Sequence, residues 1–346
     1  FQTMSYTIDI YRRRLEPTDS LVDFALFVSF FPQLVAGPIE RARNLLPQIA
    51  HLGRPSRTQV REGITLLVLG YFKKVAVGDA ARRIVDHVFG RHELYASPEL
   101  LAALVLFAIQ IYADFSGYSN IARGLAKLLG LELMKNFEQP YLSANITEFW
   151  RRWHISLSSW LRDYLYISLG GNRRGEGRTY VNLLATMLLG GLWHGAAWTF
   201  VVWGGLHGLY LAGHKMMLRG RRVADHYEWR GPLSLARWLA SVAATNVLVL
   251  LTWLFFRAED FTQARDFLQS FVQWQGSALA DRFLGLTLAF MAMVVLLDAL
   301  EYFSRSHVWP LRLRPAVAAG LGTAAMIVVV LYMATTEPMP FVYFQF

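Results

Sequence analysis

Residues 98–117 read PELLAALVLFAIQIYADFSG. A membrane-crossing helix needs roughly 17–25 mostly apolar residues, and this run supplies them. Past Glu99 at its start, Gln110 and Asp114 are the strongly polar side chains inside it. With Tyr118 they fall at i, i+4 and i+8, which puts all three on one helical face. A carboxyl at membrane depth is costly and turns toward a partner or a cavity. The segment therefore specifies a spanning helix packed inside a bundle. Asp114 reads as a cavity wall, as a carboxylate that orients a histidine, or as an interhelical hydrogen bond that fixes packing.

The same criterion, worked outward, finds about eight candidate spans: 21–39, 62–80, 98–117, 180–196, 198–217, 238–257, 283–303 and 315–335. Only 17% of the 346 residues are charged, with 11 Trp, 15 Tyr and 23 Phe, and the mean hydropathy is +0.30. A soluble domain carries charge nearer a quarter of its residues. The expectation is an all-α, polytopic integral membrane protein, a single transmembrane domain over 1–346, with the lipid bilayer as its first partner. No cysteine is present, which excludes disulfides, a thiolate metal site and a thiol nucleophile in this chain. No HExxH, phosphate-loop or nucleophile-elbow motif occurs, and no metal site is expected.

The net charge of +9 sits in loops and forms no nucleic-acid face. Loops 39–61, 127–178, 218–237 and 304–314 hold 21 Lys and Arg, while 1–20, 81–97, 257–282 and the tail hold 9. The basic side reads as cytoplasmic. FQTMSYTIDIYRRR at residues 1–14 is not a signal peptide, and the chain reads as the C-terminal portion of a longer one.

Residues 145–178, NITEFWRRWHISLSSWLRDYLYISLGGNRRGEGR, are too charged to span. Their tryptophans and leucines alternate with arginines, the pattern of an amphipathic segment that is interfacial or re-entrant. Asn145 or Thr147 caps its start, Glu148 sits in the first turn, and Gly170 and Gly171 end it. His154 reads as a site histidine, as an anchor for an anionic donor together with Arg151 and Arg152, or as a plain interfacial residue. Residues 188–199, LLGGLWHGAAWT, put His194 in an apolar, glycine-broken stretch between two spans joined by almost nothing. His194 reads as a general base in a buried polar tunnel or as a histidine bonded between helices. Trp193 beside it is expected to line the same cavity. His207 and His214, seven apart, are too far apart on a helix to hold one metal and read as structural. Asn246, Asp298 and Glu301 read as packing groups. QLVAGPIERARNLLPQI (33–49) is a span end, a Gly-Pro break and a basic amphipathic stretch, with no catalytic role evident.

Taken together, PQLVAGPIERA, YADFSGYSNIARGLAKLLG, NFEQPYLSANITEFWRRWHISLSSWLRDYLYISLGGNRRG, GGLWHG and the closing FVYFQF resemble the membrane-bound O-acyltransferase family, in particular its bacterial alginate O-acetylation branch. The resemblance runs along nearly the whole chain. It implies the family fold, with further N-terminal helices missing here, and the bacterial inner membrane as location. It implies O-acyl transfer from a cytoplasmic thioester, with acetyl-CoA the expected donor and no bound cofactor. An exported polysaccharide is the expected acceptor, reached with a periplasmic acetyltransferase partner. The family's membrane histidine falls on His194 and its upstream site histidine on His154. Arg151 and Arg152 could hold the donor's phosphates. D-alanyl transfer to teichoic acid is the related alternative, and a non-catalytic transporter or channel the unrelated one.

Overall fold

The computed structural model describes residues 1–218, 227, 230–337 and 341. Half of the basic loop 218–237 and the closing FVYFQF motif after Phe341 lie outside the described residues. Among the described residues every regular element is helical.

The chain opens with α1 (Gln2–Tyr11), α2 (Leu21–Ser29) and α3 (Ala42–Ala50). Then α4 (Arg57–Tyr71), a π-helical stretch (Phe72–Asp79) and α5 (Ala80–Phe89) follow one another without a break. The long α6 (Ser97–Leu128) returns antiparallel to them, and α7 (Ile146–Arg152) and α8 (Ile155–Trp160) are short. The hairpin α9 (Glu176–His194) and α10 (Trp198–Leu218) leads to α11 (Pro232–Arg257), α12 (Phe261–Gln273), α13 (Ala280–Ser304) and α14 (Pro315–Thr335). Four of these, α6, α11, α13 and α14, are long and apolar enough to cross a membrane by length and hydropathy.

The central column is α6, 89% buried over its most apolar window, whereas the corresponding window of α14 is 6% buried. That contrast separates a helix enclosed by protein from one whose apolar surface faces lipid. Glycines let α4 lie against α6 backbone to backbone. A Cβ on Gly70 would come 2.8 Å from Gly117 O, and one on Gly63 would come 2.9 Å from Gly124 O. Without an apolar solvent gradient between helices, such close approach supplies the packing energy. The π-helical stretch turns two consecutive lysines inward. Lys73 meets Glu301 at 2.8 Å, and Lys74 bridges Asp79 at 2.5 Å and Asp114 at 2.7 Å.

The segment 21–39 departs from the expected span. Capped by Ser20, α2 has nine residues, about 14 Å at 1.5 Å per residue, too short to cross. Tyr164 Oη donates to Asp9 at 2.7 Å and Arg12 donates to Ser168 at 2.8 Å, which ties the end of α1 to the basic side. Past residue 39 the chain is on that side again: Glu40 accepts from the Met134 amide, and Arg41 pairs with Asp163 at 3.2 Å. Residues 21–39 therefore enter and leave on one face. Moving 1–20 to that face corrects the expected topology and sharpens the charge contrast to 24 Lys and Arg against 6.

The stretch after Asn145 also differs from a single interfacial helix. Asn145 caps α7, accepting from the Glu148 amide at 2.9 Å, as expected. The helix then breaks at His154, which adopts a left-handed conformation with φ of 43°. Trp150, Trp153, Leu157 and Trp160 are buried against neighbouring helices instead of lying in lipid. The segment is re-entrant: its tryptophans serve as core, in contact with Trp203, Trp253 and Phe137.

Candidate active site

The two histidines singled out in the sequence converge. His154 and His194 line one cavity of about 440 Å³. Phe115 of α6, Trp193, Gln2 and the loop 33–39 form much of its remaining wall.

Each histidine is set there by a local break. His194 ends α9, three residues after Gly191, and the turn 195–197 leads straight into α10. Gly191 lies directly on the Phe200 carbonyl and Gly204 on that of Met187, so the two helices touch along their backbones with no room for a side chain. The His194 ring stands edge-on to Trp203 and Phe256, each 5.1 Å away between ring centres. His154 caps α8 at the break in the re-entrant segment, buried and edge-on to Phe115 at 4.7 Å. A non-glycine residue at positive φ costs on the order of 1–3 kcal/mol and persists only where its surroundings hold it. Here Asn136 holds it: its carbonyl accepts the Ile155 amide at 2.9 Å, and Glu138 N–H donates to Arg152 O at 3.0 Å.

Other predicted residues are placed elsewhere. Asp114 pairs with Lys74 and is absent from the cavity lining, which favours its packing reading. Trp193 is on the wall as expected. Arg152 is buried, paired with Glu148 at 2.7 Å and lying 5.2 Å over the Tyr302 ring, so it serves packing and not a donor phosphate. Arg151 is exposed and does not line the cavity. His207 accepts from Trp150 Nε1 at 3.2 Å and meets Thr252 Oγ1 at 3.0 Å, and His214 meets Thr147 at 2.7 Å; both are structural. Asp298 bonds Tyr112 at 2.8 Å and Asn246 donates to Tyr141 O at 2.9 Å, also packing roles. No cluster of potential metal ligands exists among the described residues.

One part of the wall was not anticipated. The loop 33–39, LVAGPI behind Gln33, carries no chemistry of its own but closes the cavity opposite the histidines. Its signal was the Gly37-Pro38 pair, which interrupts an apolar run and turns it back.

A bundle of apolar helices with two histidines on one open cavity defines a polytopic membrane protein whose candidate site carries the residue type that acid–base or group-transfer chemistry uses. Residues 13–254 match the model of the membrane-bound O-acyltransferase family, and the chain belongs to that family. It is 47% identical over 264 residues to a probable alginate O-acetylase AlgI of Azotobacter vinelandii, covering 76% of this chain and 50% of that protein. The Pseudomonas putida protein described in the same words is 40% identical over 368 residues, covering all of this chain and 73% of that one. A peptidoglycan O-acetyltransferase of Helicobacter pylori is 38% identical over 260 residues, covering 75% and 48%. The chain thus spans about half the length of two of these three relatives.

Proposed function

We propose that this chain carries the catalytic centre of a membrane O-acetyltransferase that serves an exported polysaccharide, with alginate the first candidate. The observation that supports it is the convergence of His154 and His194 on one cavity. The names of the relatives, an alginate O-acetylase and a peptidoglycan O-acetyltransferase, favour an acetyl group over D-alanine. The donor is acetyl-CoA on the basic, cytoplasmic face, and the membrane is the bacterial inner membrane. A periplasmic acetyltransferase partner completes transfer to the sugar hydroxyls.

The chemistry follows from the residues. An unprotonated ring nitrogen of His194 takes the proton of the acceptor hydroxyl as its oxygen attacks the thioester carbonyl. The tetrahedral intermediate collapses, the carbon–sulfur bond breaks, and the thiolate takes the proton from the imidazolium. His154 lies on the same wall, placed to orient the donor or the acceptor hydroxyl by accepting a hydrogen bond.

The test is label transfer in vesicles of the full-length protein, with radiolabelled acetyl-CoA supplied to the cytoplasmic face. Wild type should pass label to protein or polysaccharide, and His194→Ala at matched expression should lose it. Equal transfer by both would remove His194 from catalysis and overturn the proposal.

A further inference from the structure

A chain of hydrogen bonds runs from α6 to the back of the His154 ring. Ser119 Oγ, Asn136, Ser156 and His154 are all buried, Ser156 completely. Asn136 Nδ2 meets Ser119 Oγ at 3.1 Å. Asn136 Oδ1 meets the Ser156 amide nitrogen at 3.3 Å and Ser156 Oγ at 2.6 Å. Ser156 Oγ in turn lies 3.5 Å from His154 Nδ1.

The direction of each bond is forced. A backbone N–H can only donate, so the atom of Asn136 facing the Ser156 amide is its oxygen, and the amide group cannot be flipped. That oxygen can only accept, so the Ser156 hydroxyl spends its single proton on it. What Ser156 Oγ presents to His154 is therefore a lone pair, and Nδ1 must donate. In the neutral ring the proton then sits on Nδ1 and Nε2 carries the bare lone pair.

We propose that Asn136, acting through Ser156, is a positioning residue that fixes His154 in the Nδ1–H tautomer. The inference rests on the reading of His154 as a site residue. The same asparagine also holds the left-handed break through the Ile155 amide, so it sets both the place and the proton of the ring. It is the role that a carbonyl or carboxylate behind a working imidazole plays elsewhere.

The test is 15N NMR of full-length protein labelled at histidine, in membranes, with the His154 signals assigned by their loss in His154→Gln. The protonated ring nitrogen has a shift and an N–H coupling distinct from the bare one, so the tautomer is read directly. Wild type should show Nδ1–H. Ser156→Ala removes the acceptor and should move the ring to Nε2–H. Asn136→Leu frees the intact Ser156 hydroxyl to donate to Nδ1 and should cause the same change. Wild-type His154 protonated at Nε2, or Nδ1–H persisting in either variant, would overturn the proposal. Should neither variant accumulate, the wild-type spectrum alone decides. In the transfer assay Ser156→Ala should lose about 10- to 100-fold in kcat with KM little changed, the usual loss for an outer-shell partner. Full transfer by His154→Gln would instead sink the functional reading of His154 and leave the tautomer assignment standing on its own spectrum.

Discussion

Lys73 Nζ lies 2.8 Å from Glu301 Oε1, with both side chains almost wholly buried and 228 positions apart in the chain. Glu301 also accepts from Gln139 at 3.0 Å. One carboxylate thus joins α13, the π-helical stretch and the loop that carries Asn136. Removing one partner of such a pair costs about 3–5 kcal/mol, because the other charge is left buried and alone. Lys73→Met and Glu301→Leu should each lower thermal stability in detergent, Glu301→Leu more. The double variant should lose less than the sum of the two, and additive losses would show that the charges do not depend on each other.

The contact of α4 with α6 leaves no room for a methyl group. A Cβ on Gly117 would come 2.8 Å from both Gly70 O and Lys74 N. Gly117→Ala should therefore destabilise by about 1–3 kcal/mol, measured as a lower midpoint on heating. Gly285, inside α13, has nothing within 4 Å of a built Cβ. Gly285→Ala should be neutral or gain up to about 1 kcal/mol from helix propensity.

His207 and His194 both belong to the α9–α10 hairpin, yet only His194 lines the cavity. His207 is bonded on both nitrogens, to Trp150 and Thr252. His207→Phe should reduce stability by about 1–3 kcal/mol through the bonds left unmade, while each folded molecule still transfers label. Loss of transfer without loss of stability would make His207 a participant.

Asp163 joins the N-terminal helices to the segment after α8 through Arg41 at 3.2 Å, and it also meets its chain neighbour Arg162 at 2.8 Å. Partial burial raises its carboxyl, but the Arg162 hydrogen bond and the guanidinium charges outweigh it and hold the group below the usual carboxylate range. An acid whose folded value is depressed stabilises the fold fully above its unfolded value, about 3.9 for Asp. That contribution fades as the pH falls through the lower folded value. The stability gap between wild type and Asp163→Asn should therefore be constant from pH 7 to pH 5 and close below about 3.9. A gap that closes already between pH 7 and pH 5 would contradict this assignment.

Of the eight expected spans, those on α6, α11, α13 and α14 were legible as helices long and apolar enough to cross, and His154 and His194 stood out by a local pattern as well. An apolar run of sufficient length can only be a helix in lipid, and a histidine among glycines marks a broken one. The re-entrant course of 21–39 was not legible by length, since an apolar run that turns back at Gly37-Pro38 has the composition of one that crosses. Trp150 and Trp153 looked interfacial because a tryptophan belt and a tryptophan core share one spacing, and only Trp203 and Trp253 on distant helices decide between them. Asp114 was placed on the right helix, but the choice between cavity wall and packing group was not legible, because its partner Lys74 depends on the π-helical widening of α4. Asn136 carried no signal: its work is done by three short contacts across a gap that sequence spacing does not measure.

The contact of Gly191 with Phe200 does more than bring two helices together. Pinned at that point, α9 cannot slide along α10, and His194 lies one turn beyond the pin. The position of the imidazole along the hairpin is thus metered in helical turns of about 5.4 Å. Inserting a single residue between Gly191 and His194 would swing the ring about a quarter of the way around the helix axis and out of the cavity, whereas the same insertion in the basic loop before Glu176 would leave the gauge untouched.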